Sequence, residues 1–290
     1  MGNFATTLYN IKGAALRPLR IGSRRILWTP NQGLGFGNFL YLWLHAHLEQ
    51  AAGRDYRVFE TPAMSPWLTA FPLLRERLAI SSDSIRFRDR REWRHDTLFQ
   101  AFGTEYTRTE LREFITTFLV PHLEPEVQAP GTVVVNIRRG DYYSVPHFRK
   151  AYGFNIAGYL EAALEVAKEA EDIPKATVVS DDPAWCRSNL DAILTEHAGT
   201  VEYVPKTAGP LENFRAVSTT RRLIGTNSTF SYWGGYIADV VHSDAQIVMP
   251  EFHARWQHDP SAYQLDPNWD IIRALPSGWD EPREDLVVAT

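Results

Sequence analysis

Thr132-Val-Val-Val-Asn-Ile-Arg-Arg-Gly-Asp141 is the stretch on which the architecture turns. Thr132 to Ile137 is a short apolar, β-branched run with no inside-outside alternation, the pattern of a strand buried on both faces in a parallel sheet. The same texture repeats downstream. Ala176-Thr-Val-Val179, Val201-Glu-Tyr-Val204, Arg222-Leu-Ile224 and Gln246-Ile-Val-Met249 are short apolar strands. Helical patterns separate them at Asn155 to Ala170, Pro183 to Leu194, Leu211 to Ser218 and Ser228 to Val240. This β/α alternation predicts a parallel sheet with helices on both faces.

Upstream, Arg25-Ile-Leu-Trp-Thr29 is a strand candidate, followed by the turn Pro30-Asn-Gln-Gly-Leu-Gly-Phe-Gly37 and an apolar helical run from Asn38 to about Ala52. Tyr56 to Phe59 follows as a second strand and ends at Glu60. From Pro62 to Tyr106 the pattern weakens, with Pro62, Pro66 and Pro72 as breakers. Arg86, Arg88, Arg90, Arg91 and Arg94, beside Asp89, Glu92 and Asp96, read there as a solvated face or an acceptor-side surface. Thr109 to Leu123 reads as a helix, and the Pro/Gly-punctuated 125–131 stretch as a lobe boundary. The expected organisation is an N-terminal lobe over 1–128, a second lobe over 129–265, and a tail over 266–290 crossing back towards the first.

With 290 residues, 44% of them hydrophobic, the chain can bury two cores. Thirty Lys+Arg against 35 Asp+Glu give a net charge of −5, which argues against a dedicated nucleic-acid binder. The single cysteine, Cys186, excludes an internal disulfide framework and a cysteine-built zinc site. No apolar run reaches the ~18 residues of a membrane span, so a cytoplasmic protein is expected. Lys12, Arg17, Arg20, Arg24 and Arg25, interleaved with Leu8, Ile11, Leu16 and Leu19, keep peripheral membrane contact in play.

Ligands of doubly wound sheets bind beyond the strands' carboxyl ends. Arg138 and Arg139 follow the first strand of the second lobe, and neighbouring side chains on a strand diverge, so one of them must turn inward and find an anion. A phosphate fits the guanidinium fork, and an ion pair with Asp141 is the structural alternative. Arg139-Gly140-Asp141 also spells an adhesion tripeptide, which would need an exposed loop tip. In Ser180-Asp-Asp-Pro183, one of Asp181 and Asp182 caps the next helix, and the other is free to accept from a nucleobase or ribose. Gly225-Thr-Asn-Ser-Thr-Phe-Ser231 leads into a helix. It offers either an anion cradle or ordinary capping by Asn227 or Ser228. Gly33-x-Gly35-x-Gly37 with Glu60 imitates a dinucleotide fingerprint, although Asn38 stands where its third glycine belongs, so an NAD-type oxidoreductase is the rival class. No Asp-x-Asp and no histidine cluster supports a catalytic metal.

Gly33-Leu-Gly-Phe-Gly-Asn38, Val135-Asn-Ile-Arg-Arg-Gly-Asp-Tyr142, Ser180-Asp-Asp-Pro-Ala-Trp-Cys186, Asn227-Ser-Thr-Phe-Ser-Tyr-Trp233 and Pro267-Asn-Trp-Asp-Ile271 together resemble the α-1,2-fucosyltransferase family, related to the α-1,6- and protein O-fucosyltransferases. The resemblance spans roughly residues 26 to 273. It implies an α/β fold of the GT-B type with two Rossmann-like lobes facing across a cleft, a GDP-β-L-fucose donor, and inverting transfer without metal or other cofactor. It carries Arg138 and Arg139 onto the donor-phosphate arginines. Gly37 and Asn38 match the first-lobe loop that reaches the donor, and Asp181 or Asp182 the guanine-binding carboxylate. Ser228, Thr229 and Phe230 match the segment flanking the phosphates, with Asn227 beside them as a further donor-binding candidate. Asn136 replaces the usual His that touches guanine, Phe39 the usual Gln, and Tyr232 the first residue of a Trp-Trp pair. Asp141 is the expected general base, with His147 or Glu212 as substitutes. The implied acceptor is a galactoside-like glycan. The alternatives are a non-glycan acceptor or another GDP-sugar donor.

Overall fold

The computed structural model describes residues 23–29, 33–93, 98–124, 128–255 and 259–280. The chain forms two compact units, Met1–Phe99 and Gln100–Thr290. Most of the N-terminal basic segment (Lys12, Arg17, Arg20) and Pro30 to Gln32 of the glycine turn lie outside the described residues. Among the described residues no helix is long and apolar enough to cross a membrane.

The first unit contains β1 (Arg25–Trp28), α1 (Phe36–Ala51), β2 (Tyr56–Phe59), α2 (Ser65–Ala70), α3 (Pro72–Leu78), β3 (Ala79–Ile80) and β4 (Arg90–Trp93). Its four strands are parallel in the order β3-β2-β1-β4. Phe36, Phe39, Leu40, Tyr41, Leu42, Trp43 and Leu44 of α1 are all buried, a helix apolar around most of its circumference and therefore a core element. It begins before Asn38, so Gly37 and Asn38 lie in its first turn. Pro66 and Pro72 stand in the first turns of α2 and α3. There the missing N–H costs nothing, so these prolines start helices where the sequence suggested interruption.

The second unit contains α4 (Arg108–Phe118), β5 (Val133–Ile137), α5 (Gly140–Ser144), α6 (Pro146–Tyr152), α7 (Ile156–Ala170) and β6 (Lys175–Ser180). It continues with α8 (Pro183–His197), β7 (Thr200–Tyr203), α9 (Pro210–Ser218), β8 (Arg222–Gly225), α10 (Thr229–Val241), β9 (Gln246–Pro250) and β10 (Asp270–Ile272). All six strands are parallel, in the order β10-β9-β8-β5-β6-β7. β5 sits inside, with Val135 opposite Val178 on one side and Ile224 on the other. Val133, Val135 and Ile137 pack with α7 and α8. Asn136 points to the opposite face, where Ser231 of α10 meets it.

Two expected boundaries are corrected. The division falls between Phe99 and Gln100, well before residue 128, because α4 packs on α10: Phe114 lies 5.8 Å from the Trp233 ring, and Arg112 donates to the Asp239 carbonyl. The tail adds a strand to the second sheet, with Ile271 of β10 registered on Met249 of β9. At the sheet's amino end the fully buried Arg222 donates to the carbonyls of Gly131, Ala167, Glu171 and Asp172 and to Gln246 Oε1. Of these, Ala167 lies in the last turn of α7 and Glu171 is its C-cap, so the guanidinium sits against the end of that helix.

Candidate active site

The carboxyl ends of β5, β6 and β8 bring the predicted polar residues of the second unit together. Arg138 leaves β5 with its backbone N–H donating to Thr226 Oγ1 (3.0 Å), which fastens this turn to the loop before α10. Its guanidinium donates through Nη1 to Asp181 Oδ2 (2.6 Å) and through Nη2 to Asp141 Oδ1 (2.6 Å). Burial opposes the charge, but Asp181 and Asp141 outweigh it and hold the Arg138 pKa above the ordinary guanidinium value. The side chain remains 38% exposed.

Arg139 takes the opposite course. Its side chain is only 6% exposed, lies 3.6 Å from the Trp185 ring centroid and 4.0 Å from that of Tyr143, and donates from Nε to Asp182 (3.3 Å). A buried Arg139 rules out display of the adhesion tripeptide. Gly140 follows with φ +24°, and a Cβ there would lie 2.5 Å from Asp181 Oδ2, so the turn requires glycine.

Both aspartates after β6 have intramolecular partners. Asp181 also accepts from the Arg139 backbone N–H (2.8 Å), and Asp182 caps α8 by accepting from Trp185 N–H (3.2 Å). Asn136 is buried and bonded within the protein: its amide donates to the Val179 carbonyl (3.1 Å) and accepts from Ser231 (2.7 Å). Asn227 likewise uses its amide N–H groups on the carbonyls of Tyr152 (2.9 Å) and His253 (2.8 Å). Ser228 is the N-cap of α10, and Thr229 and Phe230 stand half-exposed at that helix start. Of the substitute bases, Glu212 caps α9 by accepting from Gly209 N–H, and His147 is exposed beside Phe148. Gly37 and Asn38 are in α1 of the first unit, and Glu60 there pairs with Arg75 (3.0 Å).

Some of the local structure has no signal in the motifs. A cavity of about 430 Å³ opens at the ends of β6 and β7, lined among others by Asp182, Pro183, Lys206 and Asn213. Tyr142 stacks on Tyr152 at 4.0 Å, with Arg138 over the Tyr142 ring. His253, buried behind Tyr152, meets Tyr232 Oη through Nδ1 (3.1 Å), and burial lowers its pKa to about 4.

Fold and site define the class: a doubly wound α/β protein that gathers arginines, carboxylates and a helix N-terminus at the strands' carboxyl ends, as phosphorylated ligands require. The family model described as glycosyl transferase family 11 matches residues 78–272. The chain belongs to that family and is a glycosyltransferase. It is 28% identical to galactoside alpha-(1,2)-fucosyltransferase 1 of Plecturocebus brunneus, over 89% of this chain and 78% of that protein. It is 27% identical to the same enzyme of Oryctolagus cuniculus, over 87% and 77%. Among solved structures, E. coli heptosyltransferase WaaC with ADP superposes with a TM-score of 0.45 at 12% identity, over 88% of this chain and 94% of that one. Family membership leaves no support for the oxidoreductase alternative.

Proposed function

We propose that this enzyme transfers L-fucose from GDP-β-L-fucose to a galactoside hydroxyl, forming an α-1,2 linkage with inversion. The carrying observation is Arg138, charged and part-exposed between Asp141 and Asp181 beside the N-terminus of α10. The names of the relatives support the choice of donor and acceptor. In this reading the diphosphate lies against Arg138 and the start of α10, and the base enters the cavity walled by Lys206 and Asn213. A guanidinium has five N–H donors, so the two aspartates leave others for a phosphate. Asp141, at 47% exposure, is the looser partner and yields to the incoming diphosphate, which frees a carboxylate to take the acceptor's proton. Negative charge growing on departing GDP is met by Arg138 and the α10 amides, with no divalent ion required. The cytoplasm is the location this reading favours.

The test is a panel of nucleotides and nucleotide sugars read by thermal shift, with transfer to a β-galactoside followed by linkage analysis. Stabilisation by GDP and GDP-fucose and an α-1,2 product unaffected by EDTA are expected. Stabilisation by NAD but not GDP, or activity lost in chelator and restored by Mg²⁺, would overturn the reading. Arg138→Lys should cut turnover at saturating donor by at least about a hundredfold at unchanged melting temperature, because lysine keeps the charge and loses the fork. Asp141→Asn should lower turnover without weakening donor binding. Near-normal turnover would remove Asp141 as the base.

A further inference from the structure

Among the described residues, the exposed large apolar side chains include Phe87 at 77% and Trp93 at 53%, both in one short stretch of the first unit. Phe87 stands at the tip of a turn that is fastened at its base. Asp89 N–H donates to the Arg86 carbonyl (3.0 Å), and the buried Asp89 carboxylate accepts from Arg86 N–H (2.7 Å) and from the Arg24 guanidinium (2.7 Å). Arg24 also donates to the Ser84 carbonyl. The turn is thus ordered while its apolar tip stays in water, so ordering it costs little when a partner covers it.

The charges around it are sorted by direction. Arg86, Arg88, Arg90 and Arg91 are exposed, whereas the two acids of the stretch turn inward. Asp89 goes to Arg24, and Glu92 accepts from Tyr56 Oη (3.1 Å) and lies near Arg25 and Arg90. No ion pair among the described residues engages Arg86, Arg88 or Arg91, and Arg91 lies over the Trp28 ring. A chain of net charge −5 therefore presents a local row of arginines without ion pairs, interleaved with two exposed aromatics. β4 is an edge strand of its sheet, and the backbone from Phe87, in the turn before it, to Trp93 spans at most roughly 20 Å.

We propose that this face, from Arg86 to Trp93, docks on an anionic lipid bilayer. Phe87 and Trp93 enter the headgroup region, and Arg86, Arg88 and Arg91 engage lipid phosphates. Aromatic rings favour the boundary between hydrocarbon and water, and guanidinium forks match phosphate oxygens. A soluble polyanion accounts for the arginines but leaves the protruding Phe87 without a role. A single-stranded nucleic acid calls for a basic groove along its backbone, not a projecting turn.

The experiment is flotation of the full-length protein with phosphatidylcholine vesicles, with and without phosphatidylglycerol, at rising salt. Binding should require the anionic lipid and weaken with salt. Combined Phe87→Ser and Trp93→Ser should weaken it at least about tenfold, and combined Arg86→Glu and Arg88→Glu should abolish it, with melting temperature and GDP-fucose hydrolysis retained in both. Cys186 is the only cysteine and is buried, so a Phe87→Cys protein accepts an environment-sensitive fluorophore at that one site. Its emission should shift to the blue with anionic vesicles alone. No vesicle binding, undiminished binding by the variants, or an unshifted label would overturn the proposal. So would loss in these variants of heparin binding or of self-association through β4 when vesicles are not bound.

Discussion

Arg138 and Arg139 sit one position apart on a pleated strand end, so their side chains leave on opposite sides and meet different surroundings. Arg139 lies between Tyr143 and Trp185 with Asp182 at its Nε, a packing position. Arg139→Met should therefore cost about 1–3 kcal/mol, visible as a melting temperature lower by several degrees. The surviving folded fraction should keep far more turnover than Arg138→Lys. Equal catalytic losses in the two variants would mean that both arginines reach the donor. His253 offers a second residue-level test. An imidazole of ordinary pKa near 6.5 in the unfolded chain is held near 4 in the folded one. Below pH 6.5 the unfolded chain takes up a proton that the folded chain refuses, so this contribution is complete above pH 6.5. It is lost as pH falls towards 4, on the order of 3 kcal/mol in all. Melting curves between pH 7.5 and 4 should show a shallower acid decline for His253→Gln, and an unchanged slope would exclude His253 as its source.

Among the elements, β5 and the strands around it were legible because burial on both faces leaves a continuous apolar run, and the polar residues after each run marked the carboxyl edge. The roles of Asn136 and Asn227 were not legible. An amide's partner depends on which distant carbonyl the fold brings near, here Val179 for one and Tyr152 and His253 for the other. Arg222 shows the same limit. The sequence shows it only as the first residue of a predicted strand, whereas β8 places it under the end of α7, among backbone carbonyls from two separate chain segments, Gly131 and 167–172. Arg222→Leu should leave the buried Gly131 carbonyl without this donor and strip the guanidinium from the end of α7, at a cost of at least about 3 kcal/mol. Urea unfolding would register this as a lower midpoint, and an unchanged midpoint would show that the α7 end is held by other contacts. The lobe boundary was misplaced because Pro125 to Gly131 carries the composition of a linker, while the amphipathic face of α4, which decides the matter, says only that it packs somewhere.

At the scale of the whole molecule, the unit Gln100–Thr290 contains its own sheet, helices on both faces and the clustered arginines. Expressed alone, residues 100–290 should melt cooperatively and be stabilised by GDP, by about 2.7 kcal/mol at a hundredfold excess over Kd. A fragment that melts cooperatively without a GDP response would place nucleotide recognition outside it. The order of its strands bears on how the chain is made. β5 lies between β6, the next strand in the chain, and β8, just after which the Thr226 hydroxyl donates to the Asn136 carbonyl across a separation of 90 residues. On the ribosome β5, β6 and β7 emerge first and can pair, but the other edge of β5 has no strand to meet until residues 222–225 have been synthesised. A nascent chain paused before that point presents Val134 and its neighbours as an open apolar edge, the kind of surface that chaperones hold and that mispairs when they do not. Slowing translation before residues 222–225 have emerged should therefore lower soluble yield, and an unchanged yield would show that this edge does not mispair.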